Sequence, residues 1–262
     1  EAAGVANAKA EADGVLALET SLARAHWTQV ESRDAVKTYN RVAMKDLATK
    51  FPGLDWAAWT TALGVQGAPH LIVSQPSFFV ALGKAVESTP LTRWKSHLTA
   101  RTVDRFAPYL STALVNTRFD FRGKALQGIQ ALQPRWKRAI ANLDSALGEQ
   151  LGQLYVEKHF SPAAKTRMDQ LVANLHAAFK AGIDQLEWMS PETRREAQAK
   201  LAAFRPKIGY PSKWRDYSAV DIRKDDLAGN MLRALEADSR HELAKVGKPV
   251  DPEDWGMTPQ TI

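Results

Sequence analysis

At 262 residues, 45% of them hydrophobic and 24% charged, the chain can bury a sizeable core and has the composition of an ordinary globular protein rather than a disordered or fibrous one. No apolar run approaches the roughly 20 residues needed to cross a bilayer, and the absence of cysteine excludes disulfides, thiolate nucleophiles and cysteine metal sites. A formal net charge of +6 raises the question of nucleic acid or anionic surfaces, but the basic residues are spread along the chain and mixed with acidic ones, as in Arg194-Arg195-Glu196.

Residues 1–12 are polar and alanine-rich without the hydrophobic segment of a signal peptide, so the start is expected to be internal to a longer chain. Residues 1 to about 30 read as a helix with Val15, Leu18, Leu22 and Ala25 on one face, weakened by Gly4 and Gly14. Tyr39-Asn40-Arg41-Val42 reads as a short extended piece, and residues 44–50 as a short helix stopped by Pro52-Gly53. Asp55 is placed to cap a helix over 56–63, with Trp56, Trp59 and Leu63 on one side and Gly64 closing it. Leu71-Ile72-Val73 is too short a run to assign. Residues 77–86 form a helix on Phe78, Phe79, Leu82 and Val86, and Thr89-Pro90 begins another that carries Leu91, Trp94 and Leu98. Pro108 makes residues 106–121 either a kinked continuation or a new helix. Gly123 and Gly128 mark a flexible connection.

The centre of the chain is the stretch 143–211. Leu143, Leu147, Leu151 and Leu154 step by four, four and three, the spacing of one apolar helix face, led into by Trp136 and Ile140. Ser161-Pro162 opens a second helix, with serine in the capping position and proline where its missing N–H costs nothing. Met168, Leu171, Val172, Leu175, Phe179 and Ile183 are its expected buried stripe. Ser190-Pro191-Glu192 repeats the start signal for a helix on Ala197, Leu201 and Phe204. Beyond a loop at 212–218, Asp225 or Asp226 caps a last helix on Leu232, Leu235, Leu243 and Val246, closed by Gly247; residues 250–262 read as extended. Alternating strand patterns are nearly missing, so the expected fold is an all-α, multi-helix array with few or no short strands. The eight tryptophans are expected to pack between helices.

Chemistry is sparse. Zinc hydrolysis needs two histidines one helical turn apart with a glutamate between them to activate water. None of His26, His70, His97, His159, His176 and His241 has a histidine four residues away. The nearest miss, His241-Glu242-Leu243-Ala244-Lys245, puts a lysine cation where a second ligand is required. His241 therefore reads as a surface residue near a helix C-terminus, His159 as a structural residue beside Phe160, and His176 as a helix-face residue. No phosphate loop or nucleophile elbow occurs. Asp251, Glu253 and Asp254 read as a turn, with a weak cation site as the sharper alternative, and Arg215 and Asp216 as a loop-bracing ion pair or, alternatively, peptide contacts. The basic cluster Arg135, Lys137 and Arg138 reads as a solvated helix face, so nucleic acid is not expected. No catalytic or metal-binding residue is assigned, and substrate-binding residues are left open.

Three landmarks carry a resemblance: residues 152–160, Gly-Gln-Leu-Tyr-Val-Glu-Lys-His-Phe; Leu186-Glu187-Trp188-Met189; and Lys207-Ile208-Gly209-Tyr210-Pro211. With Tyr39-Asn40-Arg41 upstream, and Val250-Asp251 and Glu253-Asp254-Trp255 near the end, their order resembles the neprilysin family of zinc metallopeptidases over nearly the whole chain. The resemblance implies that residues 1–245 are the helical, non-catalytic lobe that covers the active-site cavity, and that 246–262 lead toward a zinc-binding catalytic lobe of the same polypeptide. It implies a parent that binds zinc and cleaves peptides, with zinc polarising the scissile carbonyl and a glutamate-activated water attacking it. The chain ends before the family's Asn-Ala-Tyr strand and HExxH helix, so on its own it is expected to hold no zinc and to be inactive. Lack of cysteine favours a bacterial type, and the family implies a periplasmic or secreted location. The alternative is a stand-alone helical module that binds peptides or nucleic acid.

Overall fold

The computed structural model describes residues 3–261. Helices dominate, and among the described residues the strands are β1 (Arg41–Ala43) and β2 (His70–Ile72), an antiparallel pair with Val42 opposite Leu71. The all-α expectation holds. The chain divides into two compact bodies, one built from residues up to 132 with 223–232 and 238–248, the other from 133–222 with 233–237 and from 249 onward.

In the first body, α1 (Ala8–Ala25) is shorter than the sequence suggests. Its expected first two residues lie outside the described ones. At its other end His26 stacks on Phe78 at 3.9 Å, and Gln75 Oε1 accepts the Trp27 backbone N–H at 3.0 Å, turning the chain out of the helix. The core sits around α2 (Leu47–Lys50) and α3 (Trp56–Leu63), where Leu47, Phe51, Trp56, Val42 and Val73 are buried. Trp56 Nε1 donates to the Phe51 carbonyl at 2.9 Å, so its polar edge is satisfied while its rings fill the core. Each such large side chain contributes about 1.5–3 kcal/mol by leaving water. Asp55 caps α3 as expected, accepting the Ala58 N–H at 2.9 Å, but Trp59 is half exposed. α4 (Pro76–Ser88) and α5 (Leu91–Phe106) pack on α1. The open question at Pro108 resolves as a new helix: a 3-10 turn at Ala107–Tyr109 precedes α6 (Thr112–Arg118), which widens into a π-helical turn over Phe119–Ala125.

The second body contains α7 (Arg135–His159), α8 (Pro162–Gln185) and α9 (Pro191–Ala203). Ser161 and Ser190 cap α8 and α9 with proline in the first turn, as their sequences require. The buried faces differ from expectation. No residue of α8 is buried, and Leu175 and Phe179 are 49% and 61% exposed. The helix packed on it, α9, has 13 residues against its 24, so α9 is too short to cover the stripe. The leucine face of α7 is interrupted as well, because Leu147 leaves helical geometry at φ −137°, ψ 41°, and Leu143 and Leu154 are exposed. Trp136 and Trp188 are also exposed rather than packed between helices. α10 (Leu227–Leu243), most of whose residues belong to the first body, is capped by Asp226, which decides between the two aspartates. It buries Met231 and Ala234, one position before the expected Leu232 and Leu235.

Candidate functional site

The landmark segments 152–160 and 207–211 meet in the second body, where the 253–254 turn joins them, and the contacts show what these residues do there. Phe160 ends α7, and its ring meets the Tyr210 ring edge-on at 6.0 Å. Gly209, in left-handed conformation at φ 74°, lies against the same ring; a Cβ there would come within 2.5 Å of Phe160 Cε1. Only glycine satisfies both the backbone and the approach. Tyr210 stacks flat on Trp214, with centroids 6.0 Å apart. Lys165 of α8 sits over the Tyr210 ring and donates to the Ile208 carbonyl at 2.9 Å. Lys207 donates to the Asp254 carbonyl, and Ser212 Oγ to Glu253 Oε2 at 2.9 Å. Residues 207–214 are thus a clasp of stacked rings and pinned carbonyls.

Residues 258–260 are seated on α7. Gly148 and Gly152, one turn apart, are buried under Thr258 and Pro259: a Cβ on Gly148 would fall 2.8 Å from Thr258 Cγ2, and one on Gly152 2.8 Å from Pro259 Cδ. Sequence reasoning placed both glycines in the helix and missed their purpose. Two glycines four apart in a helical run are the signal, since they open a groove for backbone approach.

The acidic turn behaves as its sequence suggests. Asp251 Oδ1 accepts the Glu253 N–H at 2.9 Å. In the 212–218 loop Arg215 lies over the Tyr217 ring and its backbone N–H donates to Glu149 Oε2 at 2.7 Å. Asp216 accepts the Ser218 N–H at 2.8 Å, and that bond holds its carboxyl below the usual range. These are turn and packing contacts. Lys137 sits over the Trp136 ring and Arg138 Nε donates to the Gln133 carbonyl at the start of α7, an exposed helix end.

The histidines stay apart. His26 pairs with Phe78 and Gln75, His70 with Arg41, His97 with Glu19, His159 with Tyr155 and His176 with Phe204. After His241, Lys245 is ion-paired with Glu242 at 2.6 Å. Among the described residues no group of three His, Cys, Asp or Glu is placed to hold a metal.

One feature of the first body had no sequence expectation. A groove of about 840 Å³ is lined by Val15, Leu16, Ala100, Val103, Leu114 and Phe121, with Glu11, Glu19 and Asp104 at its edges. Asp104 is bound by Arg122 Nε at 2.9 Å, and that guanidinium holds its carboxyl below the ordinary value of 3.8.

Comparison with known proteins supplies what the contacts lack. The model of peptidase family M13 matches residues 1–211. The chain belongs to peptidase family M13. It is similar to an endothelin-converting enzyme homolog of Locusta migratoria, 26% identical over 98% of this chain and 38% of that protein, and to neprilysin-2 of Drosophila melanogaster, 27% identical over 92% of this chain and 34% of that protein. Among solved structures it is similar to the zinc metalloprotease Zmp1 of Mycobacterium tuberculosis in its open state, at 44% identity and a TM-score of 0.87, covering 95% of this chain and 39% of Zmp1. PepO of Lactobacillus rhamnosis, at 21% identity and a TM-score of 0.80 over 97% of this chain and 41% of that one, shares the fold. The chain therefore spans about two-fifths or less of the length of these M13 relatives.

Proposed function

We propose that this chain is the helical lobe of an M13 zinc metalloendopeptidase, and that the lobe encloses the active-site cavity and admits peptides rather than folded proteins. On this reading residues 1–245 form the covering lobe and 246–262 lead into a catalytic lobe on the same polypeptide. That lobe holds the zinc, and the parent acts in the periplasm or outside the cell.

The observation that carries the reading is the family match over residues 1–211, within which all three central landmarks fall in order. Two further facts support it. Large apolar side chains on α7 and α8 stand exposed, as expected of a surface that other parts of a larger protein cover. The similar protease Zmp1 has been solved in an open state, a partial open state and in complex with an inhibitor, which fits a lobe that gates access. No histidine has a second histidine one helical turn away, so the hydrolytic centre has no ligand pair here.

The test is a peptide-cleavage assay on the purified 262-residue chain with added zinc, run beside the full-length parent. The parent is expected to cleave peptides in a chelator-sensitive way and the chain alone to cleave nothing. Zinc-dependent turnover by the chain alone would refute the reading.

A further inference from the structure

The bend in α7 and the seat of residues 258–261 coincide. Leu147 leaves helical geometry immediately before Gly148, and Gln260 enters at that point. Gln260 Nε2 donates to the Gly148 carbonyl at 2.9 Å and to the Asp144 carboxylate, while the chain on either side rests on Gly148 and Gly152. Sharp helix bends have few causes, and a side chain inserted against the helix's own carbonyls is one of them. No proline lies within α7. Both partners of the Gln260 amide are acceptors, so its nitrogen must face them and its oxygen must face away. That oxygen is buried without a hydrogen-bond partner. An unpaired buried acceptor weakens the seat that it belongs to.

We propose that residues 258–261 are a conformational latch, with Gln260 holding α7 bent at Leu147 and its unpaired oxygen keeping the seat reversible. Seated, the segment locks the bend. Released, α7 regains a straight course through Leu147, because Gly148 no longer shares its carbonyl with a side chain. If the proposed function also holds, the latch ties the bend of α7 to the segment that leads toward the catalytic lobe. The latch itself does not rest on that reading, and its failure would leave the family assignment untouched.

The absence of native cysteine makes a clean test possible. Spin labels on cysteines introduced at the exposed positions Lys137 and Lys158 report the end-to-end distance of α7 by pulsed electron resonance. Gln260→Ala is expected to lengthen and broaden that distance with helicity by circular dichroism retained. Gly148→Ala, which pushes Thr258 off its seat, is expected to do the same. An unchanged distance in either folded variant overturns the proposal. Hydrogen exchange on the unsubstituted chain gives an answer that no folding defect can obscure. The amides of Gln260 and Thr261 are expected to exchange together with those around Gly148 and Gly152. Free exchange at 260–261 while 148–152 stay protected would equally overturn it.

Discussion

The two bodies of the chain are held together differently. The first buries Leu47, Phe51 and Trp56 in a compact aromatic and aliphatic core. Within the second, the buried positions of 133–222 and 249–261 are Gly148, Gly152, Pro211 and Pro259, and its long apolar residues lie half in water. Its contacts are instead a clasp of stacked rings, lysines pinned to carbonyls, and a segment laid on two glycines. A body of the first kind draws its stability from transfer of apolar surface out of water, which tolerates small shifts. One of the second kind depends on close approach and hydrogen-bond geometry, which do not.

The contrast is broken most easily by truncation. Trp56→Ala is expected to cost about 3–5 kcal/mol through lost burial and a cavity, read as a lowered urea midpoint. Leu175→Ala on the half-exposed face of α8 is expected to cost less than about 1 kcal/mol, and equal losses would abolish the distinction. Addition tests the other body. Gly152→Ala drives a methyl toward Pro259 and the Gln260 amide, and the expected overpacking penalty is about 1–3 kcal/mol although alanine is the better helix former. A stabilised Gly152→Ala chain would show that the glycine seat is not tight. Caps should not distinguish the bodies: Asp55→Ala and Ser190→Ala are each expected to cost about 1 kcal/mol by the same loss of an N–H acceptor.

The smallest effect is acid sensitivity. Glu31 in the first body is lowered from 4.5 to about 2, chiefly by Lys37 and then by the Thr28 N–H and hydroxyl, and Asp104 is lowered by Arg122. A carboxylate with a depressed folded-state pKa stabilises the fold above its unfolded value and loses that contribution as pH falls through the folded one. The stability of the chain should therefore decline between pH about 4.5 and 2. Arg122→Ala should return the Asp104 titration, followed by NMR, toward 3.8.

What the sequence revealed is local. Asp55, Ser161-Pro162, Ser190-Pro191 and the all-α class are written in a few adjacent residues, because caps and helix periods need no distant partner. Burial is decided by what arrives from elsewhere. The stripe on α8 has perfect spacing, yet α9 is too short to cover it, and the α10 face shifts by one residue to Met231 and Ala234. The bend at Leu147 is invisible in the leucine spacing, since its counterpart Gln260 lies more than a hundred residues downstream. The landmarks identify the family as segments; that Gly209 admits Phe160 and Lys165 clamps Ile208 emerges only when the chain is folded.

On the proposed function the hydrolytic metal belongs to residues outside this chain, and zinc content decides whether it does. After equilibration with zinc and desalting, elemental analysis of the purified chain should find no stoichiometric metal, while the full-length parent retains it until chelated. Zinc retained by the chain alone in proportion to protein, and lost together with a cleavage activity on chelation, would place the hydrolytic centre in these residues instead.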